Sequence, residues 1–377
     1  MKRRQFLALL SSTGLVSACT VTEVRRGINS AQQLSNGDVP GAVSAQLPSS
    51  GIAEVDQLVR RQLKTLIQEL AKTWGDKKVA SPKEYVKYTD QYQSRAIVNF
   101  KTGLIRVETV EQKSPKSALK AAIISTLLTP ENPAKVDLLS DEAVTTGQKP
   151  FLHDLVIDQD KKAVGTQWRA NRYAEYLMKT AYKVDSYNQK TRHYVTFAMV
   201  KGHNQTQQKH YATQVKRQGK RFNIDQALIY AIIETESAFN PYAMSHIPAY
   251  GLMQIVPSSA GRDAHRLLYK KDGIPTKNYL FQADNNIEMG TAYLHILFTR
   301  YLAQVKNPKA REYCCIAAYN TGSGNVLKAF DTDRSRAFDK INTLSASSVY
   351  SHLRKHLKYE EARHYLYKVT QKKRAYV

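Results

Sequence analysis

The feature that most constrains this chain is an unbroken apolar run, Ala227 to Ile233, followed at once by two carboxylates, Glu234 and Glu236. Asp225 stands where an N-cap is needed and Pro241 lies just past the end, so the spacing predicts a helix from Gln226 that stops before Pro241. Such a helix has almost no solvent face and is buried nearly all round. The two carboxylates lie two residues apart, roughly 200° around the helix, so they cannot act as a pair. Glu236 falls on the stripe of Ile229, Ile232 and Ile233. Desolvation on that face raises a carboxyl pKa, as a general acid working near neutral pH requires. Glu234 points elsewhere, to solvent or to a structural partner.

The rest of the chain organises around this element. From about 51 to 201 helical and strand patterns mix. Apolar residues at helical spacing run from Val55 to Leu70, and Ser117 to Leu127 and Trp168 to Ala181 read as further helices. Ala96 to Phe100 and Leu104 to Val110 flank Lys101-Thr102-Gly103, a hairpin signal, and Tyr194 to Val200 reads as a strand. After Lys201-Gly202-His203-Asn204 the strand signals largely stop, and helices joined by Gly, Pro and Asn turns run to the C-terminus. The expected architecture is an α+β domain over 51–201, without a recognisable catalytic constellation, and then an all-α domain over 202–377. A chain of 377 residues is long enough for both.

The N-terminus narrows the setting. Met1-Lys2-Arg3-Arg4 is a basic leader, and Phe6 to Ala18 is an apolar stretch too short to span a bilayer, which needs roughly 20 residues. It ends Val16-Ser17-Ala18-Cys19, which looks like a bacterial lipobox. Residues 1–19 are therefore read as a lipoprotein signal peptide, with Cys19 acylated and anchoring the mature chain to a membrane. Thr20 after the cysteine resembles the outer-membrane sorting rule, so a Gram-negative outer membrane, facing the periplasm, is expected. Arg3-Arg4-Gln5-Phe6-Leu7 also resembles a twin-arginine signal, which leaves the export route open. Residues 20–50, rich in Ser, Gln, Gly and Ala, read as a flexible tether. The remaining cysteines, Cys314 and Cys315, sit in a helical apolar setting and are read as core thiols. The net charge of +24 draws anions. Nucleic acid would satisfy it, but an exported, anchored chain seldom meets nucleic acid. An acidic wall polymer fits better. No metal site is expected: His352 and His356 stand four apart without the Glu of a zinc-protease pattern.

The apolar helix carries more than its burial. Glu236-Ser237-Ala238-Phe239-Asn240-Pro241, then Ser245, then Gly251-Leu252-Met253-Gln254 resemble the first two motifs of the soluble-lytic-transglycosylase family, which has a goose-lysozyme-like fold. Asn286-Ile287-Glu288-Met289-Gly290, Ala318-Tyr319-Asn320 and Glu361-Ala362-Arg363-His364-Tyr365 resemble its later motifs in order. The resemblance implies that Glu236 is the catalytic acid and base. It implies that Ser237 and Ser245 hydrogen-bond around the site, and that Gly251, Met253 and Gln254 form a wall of the sugar cleft, Gly251 letting backbone approach the ligand. Tyr319 and Asn320 would reach the reacting sugar, and Tyr365 would close the cleft. Two positions depart from the pattern, Pro248 and Thr321, each where the family usually has Gly, and both are expected in loops. Lys83 to Arg95 (Lys-Glu-Tyr-Val-Lys-Tyr-Thr-Asp-Gln-Tyr-Gln-Ser-Arg) resembles a narrower group, the membrane-bound lytic murein transglycosylases C. No role for the first domain follows from that, and protein partners stay unknown.

The expected substrate is a peptidoglycan glycan strand, with no cofactor. Ordinary glycosidases place two carboxylates about the scissile bond. Between Ser237 and Arg262 there is no Asp or Glu, which favours a lyase that closes a 1,6-anhydro ring over a hydrolase. A hydrolytic muramidase on the same fold and a non-catalytic wall-binding lipoprotein remain as alternatives.

Overall fold

The computed structural model describes residues 61, 66–76, 78–245 and 249–377. The expected signal segment with Cys19, the 20–50 tether and Pro248 lie outside them. So does most of the expected first helix, whose described part is helical over 66–74 and buries Leu66, Ile67, Leu70 and Trp74.

The first half is built on one antiparallel sheet. Its strands are β1 (Glu84–Thr89), β2 (Ser94–Asn99), β3 (Leu104–Thr109), β4 (Lys183–Tyr187) and β5 (Lys190–Ala198), in the order β1-β2-β3-β5-β4. The expected hairpin is present, with Val98 opposite Ile105 and Gly103 taking the left-handed φ of +71° that its turn needs. Helices α1 (Pro115–Leu127) and α2 (Gln167–Thr180) pack on each other, and α1 lies on the sheet. The Thr166 hydroxyl caps α2 by accepting from Arg169 N. At the other end of the sheet the Arg95 guanidinium is buried over the Trp74 ring, 4.0 Å from its centre, and pairs with both Asp76 and Glu108. A buried cation is tolerable only when paired in this way.

The second half contains no strand among its described residues. Its helices are α3 (His203–His210), α4 (Ala212–Phe222), α5 (Gln226–Ser237), α6 (Arg262–Tyr269), α7 (Lys277–Leu280), α8 (Ala283–Ile296), α9 (Pro308–Thr321), α10 (Ser323–Lys328), α11 (Arg334–Thr343), α12 (Ala346–His356) and α13 (Glu360–Lys373). The apolar run forms α5, with Asp225 accepting from Ala227 N at 2.9 Å. Every residue from Ala227 to Ile233 is buried, between α4 and α13. Cys314 and Cys315 lie unpaired inside α9, and burial pushes the Cys314 thiol up to about 12. Thr321 is not in a loop: it is the last residue of α9, and its carbonyl accepts from Asn325 Nδ2 at 2.7 Å. None of the described helices is long and apolar enough to cross a membrane.

Two hydrophobic cores result, one per half, and the corner after α5 breaches the division. Ala238 and Tyr242 belong to the core of the first half. The Tyr242 ring packs edge-on against Tyr85 and Phe151, with centroids 5.0 and 5.3 Å away, and its hydroxyl donates to the Pro130 carbonyl at 2.5 Å. Full burial of such a ring is worth roughly 2–3 kcal/mol.

Candidate active site

Glu236 stands one residue before the end of α5. The helix ends on Ala238 (φ +50°), and Phe239 follows at φ +63°. Two successive non-glycine residues in the left-handed region are a strained turn that the surroundings must enforce. Asn240 helps enforce it. It is fully buried, its Oδ1 accepts from Tyr242 N at 3.0 Å, and its Nδ2 donates to the Pro82 carbonyl of the first domain at 3.1 Å.

The Glu236 carboxyl is half-buried by area and walled in by protein on most sides. That desolvation pushes it from 4.5 up to about 7, opposed by the Tyr365 hydroxyl and the Lys83 ammonium and helped by Glu361. Two tyrosines frame it. Tyr319, on α9, donates to the Met253 carbonyl at 2.9 Å and lies 5.7 Å from the Tyr293 ring. Burial first, then the nearby Glu236 carboxyl, raises the proton affinity of both Tyr319 and Tyr365, so both hydroxyls keep their protons. Tyr365 and Glu236 perturb one another through the buried Tyr365 hydroxyl, a donor turned toward the carboxyl.

The segment 250–254 forms a tight loop held from below by Asn286 of α8. That fully buried amide accepts from Met253 N and donates to the carbonyls of Tyr250 and Leu280, each at 2.8 Å. Gly251 sits directly on that support. Its φ is +74°, and an added Cβ would lie 2.3 Å from Asn286 Nδ2 and 2.4 Å from the Leu280 carbonyl. The missing side chain makes room for the loop's own support. Met253 is also buried, its side chain against Gly290, so what it offers is backbone. Ser237 is fully buried and its hydroxyl donates back to the Ile233 carbonyl at 3.0 Å, which closes the last helical turn. Gln254 is half-buried: its Nε2 braces the carbonyls of Gly251 and Ala243, while its buried Oε1 is left without a partner. Ser245 lies at the edge of 246–248 with its hydroxyl accepting from Ala249 N at 3.3 Å, and Asn320 is half-buried beside Tyr319.

Set beside known proteins, residues 52–210 match the N-terminal domain of membrane-bound lytic murein transglycosylase C, and residues 213–342 match the transglycosylase SLT domain. A membrane-bound lytic murein transglycosylase C from Klebsiella pneumoniae is 42% identical over 306 residues, covering 80% of this chain and 85% of that one. The protein of that name from Salmonella arizonae is 43% identical over the same shares. The chain belongs to the membrane-bound lytic murein transglycosylase C family. Among solved structures, the 70 kDa soluble lytic transglycosylase of Escherichia coli aligns at 26% identity and a TM-score of 0.35, over 44% of this chain and 24% of that one.

Within this member of the lytic murein transglycosylase C family, Glu234 is structurally engaged, paired with Lys372 and accepting from the Tyr376 hydroxyl at 2.9 Å. Sequence reasoning assigned no role to Asn286 or Lys83. An Asn inside an otherwise apolar helical stretch was a usable signal for the first, since a buried amide must be fully bonded. Lys83 left none, because its proximity to Glu236 is produced by packing between domains.

Proposed function

We propose that this chain is a peptidoglycan lytic transglycosylase that cleaves the bond between N-acetylmuramic acid and N-acetylglucosamine without water. The observation that carries this is a single enclosed carboxyl poised to hold or release a proton near neutral pH. Among the described residues the one other carboxylate that perturbs it, Glu361, is exposed. Glu236 protonates the glycosidic oxygen as the bond from C1 breaks, and the sugar's own N-acetyl oxygen stabilises the cationic carbon. The Glu236 carboxylate then takes the proton of the C6 hydroxyl, whose oxygen bonds to C1 and closes the 1,6-anhydro ring. The carboxyl ends as it began, so the cycle balances with no water and no cofactor. The buried Gln254 Oε1, without a partner among the described residues, is left as an acceptor for substrate.

The same reading takes residues 1–19 as a lipoprotein signal segment cleaved just before Cys19, Cys19 as the lipid anchor in the outer membrane, and 20–50 as a tether into the periplasm. Digestion of purified sacculi by the chain lacking residues 1–19, beside its Glu236→Gln variant, tests the chemistry. Anhydromuropeptides from the wild type alone are expected. Products heavier by one water would make it a muramidase, and equal products from both proteins would remove Glu236 from the chemistry.

A further inference from the structure

The first domain brings a cation to the site. Pro82 is clamped to the corner after α5 by Asn240, and the backbone of Lys83 is fixed by accepting from Phe100 N at 3.0 Å. This brings the Lys83 ammonium within electrostatic reach of Glu236, across the domain boundary. Among the described residues its electrostatic neighbours are Lys372 and Lys368 of α13, Lys101 of the β2–β3 turn and a single carboxyl, that of Glu236. Lys372 is committed to Glu234. Among the described residues Lys83, Lys101 and Lys368 form no ion pair with any carboxylate. Burial, then the neighbouring lysines, lower the proton affinity of Lys83. An ammonium that is half-buried, unpaired and set among like charges is costly for the folded chain. Uncompensated charge of this kind concentrates where a ligand supplies the missing partner. Glu236 is a poor candidate, because it must be neutral to act as an acid.

We propose that Lys83 and Lys368 form an anion subsite beside Glu236 that takes a carboxylate of the short acidic peptide carried by the muramic acid. The inference rests on the lyase reading for its substrate. It gives the first domain a task at the reacting sugar: it completes a recognition site that the helical domain alone leaves half-built. Of the groups on a glycan strand, only the peptides on the lactyl arms bring carboxylates close to the scissile bond. A charge-assisted hydrogen bond from an ammonium is the natural way to hold one.

The test measures binding, not turnover, in the Glu236→Gln protein, so that it stands apart from the product assay. Affinities are determined for soluble glycan strands whose peptides keep free carboxylates and for the same strands with those carboxylates converted to amides. Lys83→Gln is expected to weaken binding of strands with free peptide carboxylates by about tenfold, with much less effect on the amidated strands. Lys83→Arg recovers most of the loss, and the exposed Lys368→Gln shows the same selectivity at smaller size. Lys368 lies on the surface, so its variant carries the test if Lys83→Gln fails to fold. Equal weakening on both kinds of strand, no weakening on either, or an equal effect from Lys179→Gln, an exposed lysine of α2 outside the cluster, would overturn the proposal. Failure of the lyase reading shows separately, as a hydrated product or none from the wild type.

Discussion

Replacing Glu236 by Gln removes a carboxyl that the fold does not welcome as an anion, so the variant is expected to be inactive and more stable at alkaline pH. The carboxyl titrates at about 7 in the folded chain, against an ordinary 4.5. Below pH 4.5 it is protonated whether the chain is folded or not, and contributes nothing. Between 4.5 and 7 the unfolded chain releases the proton while the folded chain keeps it, which favours unfolding increasingly as pH rises. Above 7 the penalty is complete. At 1.36 kcal/mol per unit, the shift corresponds to a ceiling of about 3 kcal/mol. Partial solvent access to the carboxyl, and the loss of the one acidic neighbour of Lys83, trim the expected gain to about 2 kcal/mol. Urea unfolding of both proteins at pH 4, 6 and 8, followed by fluorescence, reads this directly. The midpoints should coincide at pH 4 and separate steadily to pH 8, with Glu236→Gln the more resistant. If the variant gains nothing at pH 8, or gains equally at pH 4, the carboxyl is not held protonated by burial and the general-acid argument fails.

Three further expectations follow from the contacts. Asn286→Ala strands the Met253 N–H and two carbonyls beneath the active-site loop, so it should cost about 3 kcal/mol in a urea titration and lower kcat; a loss under ~1 kcal/mol would deny Asn286 its supporting role. Tyr242→Phe leaves the Pro130 carbonyl without its donor and should cost about 1–2 kcal/mol, read by calorimetry as a lowered Tm; an unchanged Tm would mean the hydroxyl is replaceable by water. Glu361→Gln removes the one other carboxylate felt by Glu236, so the alkaline limb of kcat/KM should move toward lower pH while the products stay anhydro; a hydrated product would make Glu361 a participant.

What the sequence disclosed tracks how local each signal is. The α5 helix, its cap and the raised carboxyl were legible because seven adjacent apolar residues and one spacing carry them. The β2–β3 hairpin was legible from its glycine turn. Strand β1 escaped because Tyr85, Val86, Lys87 and Tyr88 are all buried, so the two-residue alternation is absent. Its Lys87 survives inside by donating to the carbonyls of Asp137 and Ser140 at 2.7 and 2.8 Å, a solution no local pattern announces. Strand β4 escaped for the opposite reason: it is an exposed edge with no apolar face, held by pairing with β5. In the site, the motifs named residues but not their bonds: the Ser237 hydroxyl donates to the Ile233 carbonyl and Met253 packs on Gly290, contacts that no local spacing announces.

The plugging of Tyr242 into the sheet domain has a mechanical consequence. If the chain is tethered at its N-terminus, any pull from the membrane enters through that domain and reaches Tyr242 and Asn240 within a few residues of Glu236. The two halves cannot swing apart like beads on a string without pulling an aromatic ring out of a dry socket. A fragment beginning at residue 202 would expose that ring to water and lose the brace on the strained corner beside its own acid.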